Sequence, residues 1–167
     1  LEAITTWTAG TNFSDYQDLP DGGIVRGVAG GEYGIITQDA SIRRMIYAPG
    51  SLTVFQIERI AEEKGIIAPL SITRSGDRVF YLGSDGYKMV AVGAPPAALG
   101  KERWDRFLLG DIDTANLQLC IGASDPKGTR VYLAYKSLTG TTALFDKLFC
   151  YDWALDRAAV ISMSGEY

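Results

Sequence analysis

Apolar and polar residues alternate along most of this chain in short runs, and Gly, Asp, Pro and Ser punctuate them. The first set of runs is "GIVRGVAG" (23–30), "YGIITQ" (33–38), "SIRRMIYA" (41–48) and "LTVFQIERI" (52–60), separated at Gly30-Gly31-Glu32, Asp39-Ala40 and Pro49-Gly50-Ser51. Period-2 alternation sends successive side chains to opposite faces, so each run predicts a β-strand and each divider a turn. A second set, "APLSITRSG" (68–76), "RVFYLG" (78–83) and "YKMVAVG" (87–93), is divided at Gly76-Asp77 and Ser84-Asp85-Gly86. A third comprises "LQLCIGA" (117–123), "RVYLAYK" (130–136), "LFDKLFCYDW" (144–153) and "RAAVISM" (157–163).

The second strands of the three sets begin at Tyr33, Val79 and Val131, 46 and then 52 residues apart. Four short antiparallel strands at that period match the blade of a β-propeller. The expected fold is therefore all-β, a partial propeller of about three and a half blades in one domain spanning 1–167; a β-sandwich is the alternative. The second set shows no clear fourth strand and carries "PPAALGKERWDRFLLGDID" (95–113) instead. Trp104, Phe107 and Leu108 fall there at i, i+3 and i+4, which predicts a short helical insertion stopped at Gly110. A propeller closes with four or more blades, so the visible sets need further chain, residues 1–19, or neighbouring subunits to complete them. The chain begins at Leu1 without an initiator Met, as a fragment would.

Composition narrows the function. Hydrophobic residues are 47% and charged residues 22%, which is globular composition, and the 19 Gly and 9 Tyr suit a turn-rich β protein. The net charge of −4 argues against a dedicated nucleic-acid binder, and no signal peptide or membrane span is visible. The chain has no His, which excludes His-based triads, zinc sites and proton shuttles. Cys120 and Cys150 fall on strands two spacings apart, roughly 9 to 10 Å, too far for a disulfide.

Motifs for chemistry fail on inspection. "GASDPKGT" (122–129) orders Lys-Gly-Thr where a phosphate loop needs Gly-Lys-Thr, and reads as a hairpin turn. "DIDTAN" (111–116) starts like a calcium loop but lacks its Gly and its final Glu, and reads as a connection. Ser84-Asp85-Gly86 is too compressed for the turn motif of sialidase propellers. Asp39, Asp85 and Asp156 sit at turn tips, where Asp is expected to bond its own backbone. No catalytic, metal or cofactor residue emerges, and the chain is expected not to be an enzyme. Four residues remain as possible interface or binding groups. Arg43 and Arg44 lie on opposite faces of one strand, which predicts one solvent charge and one salt bridge between blades. Trp104 and Trp153, like Trp7, suit core or interface packing better than ligand stacking. "QIERIAEEKG" (56–65) reads as a solvated connection to the next blade.

The order of the motifs resembles the β-propeller region of virion proteins of tailed bacteriophages, of the packaged-DNA stabilisation and tail-nozzle types. The resemblance is carried by Asp18-Leu19-Pro20, "IRRMIY" (42–47), "FQI" (55–57), "GIIAPLS" (65–71), "RVFYLGSDG" (78–86), Trp104-Asp105-Arg106-Phe107, Asp125-Pro126 with "VYLAY" (131–135), and "CYDWALDRAAV" (150–160). It implies a structural component of a phage or prophage tail or neck, one part of a homo-oligomeric ring packed against neighbouring copies and other tail or neck proteins. DNA would pass through transiently and without specificity, and an acidic conduit would not hold phosphates. The implied location is the virion, with the host cytoplasm during assembly. The alternative is a propeller-type module that binds carbohydrate or a host surface. On this view Ser84-Asp85-Gly86 is a turn within a blade and nothing more.

Overall fold

A computed structural model describes residues 16–51, 53–141 and 143–166. Trp7 and Leu52, at the start of one expected strand, lie outside the described residues. Among the described residues, twelve strands form three antiparallel sheets of four, each in meander order. The first sheet comprises β1 (Val25–Ala29), β2 (Gly34–Gln38), β3 (Ser41–Tyr47) and β4 (Phe55–Glu62). The second comprises β5 (Thr73–Ser75), β6 (Arg78–Gly83), β7 (Gly86–Ala91) and β8 (Ala97–Ala98). The third comprises β9 (Cys120–Ser124), β10 (Arg130–Tyr135), β11 (Phe145–Asp152) and β12 (Arg157–Glu166). The expected propeller architecture is thus present as three complete four-stranded blades among the described residues.

Local differences from the sequence expectation have clear causes. The second blade does have a fourth strand; it is only Ala97–Ala98, paired with Lys88 and Met89, and too short to show a period. The helix α1 is Asp105–Asp111, and Gly110 lies inside it; the cap is Ile112, whose N–H reaches the Leu108 carbonyl. Leu108 is buried while Phe107 is exposed, because the first turn is oriented by Trp104 rather than by Phe107. The strand expected over 52–60 is present as β4, which runs on to Glu62, so of the expected connection 56–65 only 63–65 lie outside it; a bulge near Ile42 and Arg43 shifts its register.

Alternation along the middle strands explains how the blades stack. On β6, Val79 and Tyr81 join Ala29, Ile35, Ile42 and Ile66 in the core between the first and second sheets. Phe80 and Leu82 point the other way and join Val131, Leu133, Tyr135, Phe149 and Tyr151 between the second and third. One strand therefore serves two cores, as period 2 requires of a blade buried on both faces. Each large buried side chain contributes about 1.5–3 kcal/mol by leaving water, so these two seams hold the blades together. The first strands β5 and β9, with the short 3-10 turn Pro69–Ser71 beside β1, lie closest to one another, which puts β1, β5 and β9 at the inner edge. Cys120 and Cys150 are free thiols on β9 and β11 with β10 between them, as their spacing implied; Cys150 is half-buried.

Candidate functional site

The four candidate residues all serve the seams or their own sheet. Arg43 and Arg44 do point to opposite faces, but neither forms a bridge between sheets. Arg44 reaches Glu58 on the adjacent strand, with Nε 2.6 Å from Oε1, and lies over the Tyr33 ring at 5.6 Å. Arg43 is buried and donates to Gln38 Oε1 at 2.7 Å and to the Asp21 carbonyl at 3.0 Å. The expected solvent charge is absent because Glu58 lies directly across the ladder from Arg44, a pairing that strand register alone creates.

The two tryptophans lock the third blade to the second. Trp153 Nε1 donates to Ser75 Oγ at 3.1 Å, and the Arg78 guanidinium sits 4.1 Å from its ring centroid. Trp104 packs on Phe149 and Tyr151, with centroids 4.7 and 5.7 Å away. Its neighbour Arg103 grips the β11–β12 turn through two bonds of 2.8 Å to Asp156. Together they staple the crossover between the second and third sheets across the seam that it spans.

A repeated device lies beneath this and was not read from the sequence. Three cross-strand pairs occupy equivalent places: Ile36 with Arg43, Tyr81 with Lys88, and Tyr135 with Lys147. In the second and third sheets the pair faces the preceding sheet and grips the chain arriving from it. Tyr81 donates to the Lys64 carbonyl at 2.7 Å, and Lys64 Nζ lies 3.1 Å from Asp85, whose carboxylate also holds Lys88 at 2.6 Å. Tyr135 donates to Asp111 Oδ2 at 2.7 Å, and Lys147 Nζ lies 3.0 Å from the same carboxylate. In the first sheet Arg43 reaches Asp21 and Gln38 donates to the Gly23 carbonyl, both in the segment that arrives before β1. Burial raises the Tyr81 phenol, and burial with the Asp111 hydrogen bond raises that of Tyr135, so both remain proton donors. The only sequence trace of the device is a basic residue beside the turn on each third strand: Arg43, Lys88 and Lys147.

Asp85 therefore has more to do than shape a turn. Gly83 pairs with Gly86 across the two-residue loop, and Gly86 has φ +133°, as the turn reading expected. The Asp85 carboxylate, however, bonds lysines rather than its own backbone. Burial works against its ionisation, but Lys88 and Lys64 outweigh that and hold its pKa below the usual range. Asp39 likewise reaches Arg26 and the Ile24 N–H, and Asp156 reaches Arg103 and Tyr151. The local turn bonds fall instead to Asp113, Asp125 and Asp152.

One buried acid stands apart. Asp105, on the first turn of α1, accepts the Tyr87 N–H at 3.0 Å, while its Oδ2 and the Tyr87 hydroxyl are enclosed without a partner. Burial raises its pKa above the ordinary value despite the Tyr87 bond. A side chain at Gly86 would overlap this carboxylate, which ties the second blade's turn to the helix.

Cavities are minor. A crevice between the first two sheets, lined by Tyr33, Ile35, Arg44, Arg74, Val79 and Val90, encloses ≈ 40 Å³, room for a few waters but well below a small-molecule pocket of roughly 300 Å³ or more. Among the described residues, no group of three or more Cys, Asp or Glu converges to hold a metal ion, and Asp111 and Asp113 of the calcium-like stretch are paired with Lys147 and Lys136. No described helix is long and apolar enough to cross a membrane.

No family model matches the chain, and no curated protein does. Among solved structures, the WD40 domain of Neurospora crassa Pan2 is similar at 18% identity and a TM-score of 0.49; the match covers 87% of this chain and 40% of that one.

Proposed function

We propose that this chain is a structural component of a tailed-phage or prophage tail or neck, supplying propeller blades to an oligomeric conduit for DNA. The observation that supports this reading is where its distinctive side chains go. Trp104, Trp153, Tyr81, Lys88, Tyr135 and Lys147 all join one sheet to the next, while the outer face of the third sheet, with Ile121 and Ile161, remains apolar and exposed. A module built this way offers rigid stacking surfaces rather than a reaction centre. The order of phage-like motifs points in the same direction, and a net charge of −4 lets DNA slide past without being held. The test is to tag the protein in its own genome and band the particles on a density gradient. The tag is expected in intact particles, with immunogold label at the tail or neck; absence from intact particles overturns the proposal.

A second reading, a carbohydrate- or host-surface-binding module, is favoured by the open depression where exposed Phe107 lies beside Trp104, Arg103 and Arg106. Glycan-array binding lost in Phe107→Ala would select it.

A further inference from the structure

Strand register sets a row of four side chains across the outer face of the third sheet: Ile121, Ala134, Leu148 and Ile161. A second row lies beside it: Ala123, Tyr132, Cys150 and Ala159. None of the eight carries a charge. Ile121 is 41% and Ile161 51% exposed, Ala123 and Ala159 are exposed, and the four on the central strands are half-buried. The other face of the same sheet is closed, with Val131, Leu133, Phe149 and Tyr151 buried against the second sheet. A contiguous apolar sheet face left in water marks a contact surface.

The order of sizes on this face says what fits it. On every strand a large side chain stands two residues from a small one: Ile121 and Ala123, Tyr132 and Ala134, Leu148 and Cys150, Ile161 and Ala159. Consider a two-fold axis in the contact plane, perpendicular to the strands and between the two rows. It lays each strand antiparallel on its own counterpart in a second copy. Ile121 then stands over Ala123 of the second copy, Tyr132 over Ala134, Leu148 over Cys150, and Ile161 over Ala159, each pair being repeated with the roles exchanged. Ridges meet hollows on all four strands. Aligned sheets cross at about 30°, so the fit is closest at the centre, around Tyr132, Ala134, Leu148 and Cys150. Charges beside the apolar rows are matched within the copy, Arg130 with Asp152 at 3.6 Å and Lys136 with Asp113 at 2.6 Å, so closure leaves none of these four without a counter-charge.

We propose that the outer face of the third sheet is a two-fold interface, closed by the same face of a second copy of this chain. The occupant is a second copy because the face complements itself; a two-fold contact of this kind is isologous, the commonest form of association between identical chains. Four strands about 4.8 Å apart and four rows about 6.8 Å apart, the charged rows at either end included, span roughly 20 Å each way. That is about 400 Å² in plan, before the relief of the side chains is counted, against about 800 Å² per partner in a standard stable interface. The pair is accordingly a weak one, with a dissociation constant in the tens of micromolar. The pairing uses the third sheet alone and does not depend on a virion role.

The test is sedimentation velocity of the purified chain from about 5 to 500 µM, with circular dichroism to confirm that each variant folds. The parent is expected to pass from its 18.1 kDa mass to twice that value across the series. Ile121→Lys, on the innermost strand, and Ile161→Lys, on the outermost, are each expected to weaken association at least tenfold, because a two-fold contact meets every substitution twice. Either serves if the other fails to fold, and Val92→Lys, exposed on the second sheet's side of the molecule, is expected to associate like the parent. An equimolar mixture of the two lysine variants is expected to stay monomeric, since both lesions lie on the one face that each copy must offer. Maleimide labelling of Cys150 is expected to slow at least threefold between the lowest and highest concentrations. A parent that stays monomeric at 500 µM, lysine variants that associate normally, a mixture that regains the dimer, or a Cys150 labelling rate independent of concentration each overturn the interface. Particle localisation of the tagged protein is read separately, so a failed interface and a failed virion role are distinguishable.

Discussion

The ion pair at the tip of the second blade gives the most discriminating prediction about how the blades are held. Lys88 is 1% exposed and its carboxylate partner Asp85 is 48% exposed, with Nζ and Oδ1 2.6 Å apart. Asp85→Asn removes the exposed half and leaves a buried ammonium without a counter-charge. Breaking a fully buried pair in this way costs about 3–5 kcal/mol, and an exposed pair is worth less than about 1 kcal/mol. With one partner buried and the other half in water, the expected loss is about 2 kcal/mol. In urea, with a slope of about 2 kcal/mol per molar, that lowers the unfolding midpoint by about 1 M. Lys88→Met should cost less, under about 1 kcal/mol, because the charge left behind is an exposed carboxylate that still has Lys64 at 3.1 Å. The pH dependence follows from the lowered pKa of Asp85. A depressed carboxylate pKa stabilises the fold above the unfolded value of about 3.9 and loses that stabilisation as pH falls through the lower folded value. The gap between parent and Asp85→Asn should therefore be flat from pH 5 to 8 and close below about pH 4. The assay is urea unfolding followed by tryptophan fluorescence at several pH values. An Asn variant as stable as the parent at pH 7, or a Met variant that is the less stable of the two, would refute the reasoning.

Three further outcomes test the seams and the buried acid. Trp153→Phe removes the donor to Ser75, which is 6% exposed, and weakens the Arg78 contact; a loss of about 1.5 kcal/mol is expected by urea unfolding. Asp105 has a raised pKa, so its ionisation costs stability as pH climbs past the unfolded value of about 3.9. The melting temperature of Asp105→Asn relative to the parent should accordingly rise between pH 4 and pH 7, and a constant difference would exclude that assignment. Cys120 is buried with its thiol pushed up to about 12, whereas Cys150 is half-buried, so thiol labelling of the native protein at pH 8 should modify Cys150 first.

Strands β6 and β7 show why so much of the fold could be read in advance. In "RVFYLG" and "YKMVAV", period 2 appears with turn residues on either side, and local backbone sterics with side-chain alternation are enough to specify strands, hairpin and approximate bounds. The same local logic failed at Ala97–Ala98, where two residues hold no period, and at Gly110, where packing of Trp104 and Leu108 carries the helix through a residue that usually ends one. The repeat spacing further implied that equivalent strands would stack as blades.

What alternation along a strand cannot state is which residue from a distant strand or crossover will stand opposite. Lys88 is a charge within a strand, yet the structure buries it: Asp85 at the adjoining turn holds its ammonium, and Lys64 of the arriving crossover joins the same carboxylate. Arg43, Lys88 and Lys147 become one device only when three sheets are superposed in space. The sequence alone determined the elements, their order and the repeat, which depend on interactions between near neighbours. Only the tertiary structure decided that these side chains grip the arriving crossovers, because that depends on contacts between residues far apart in the chain.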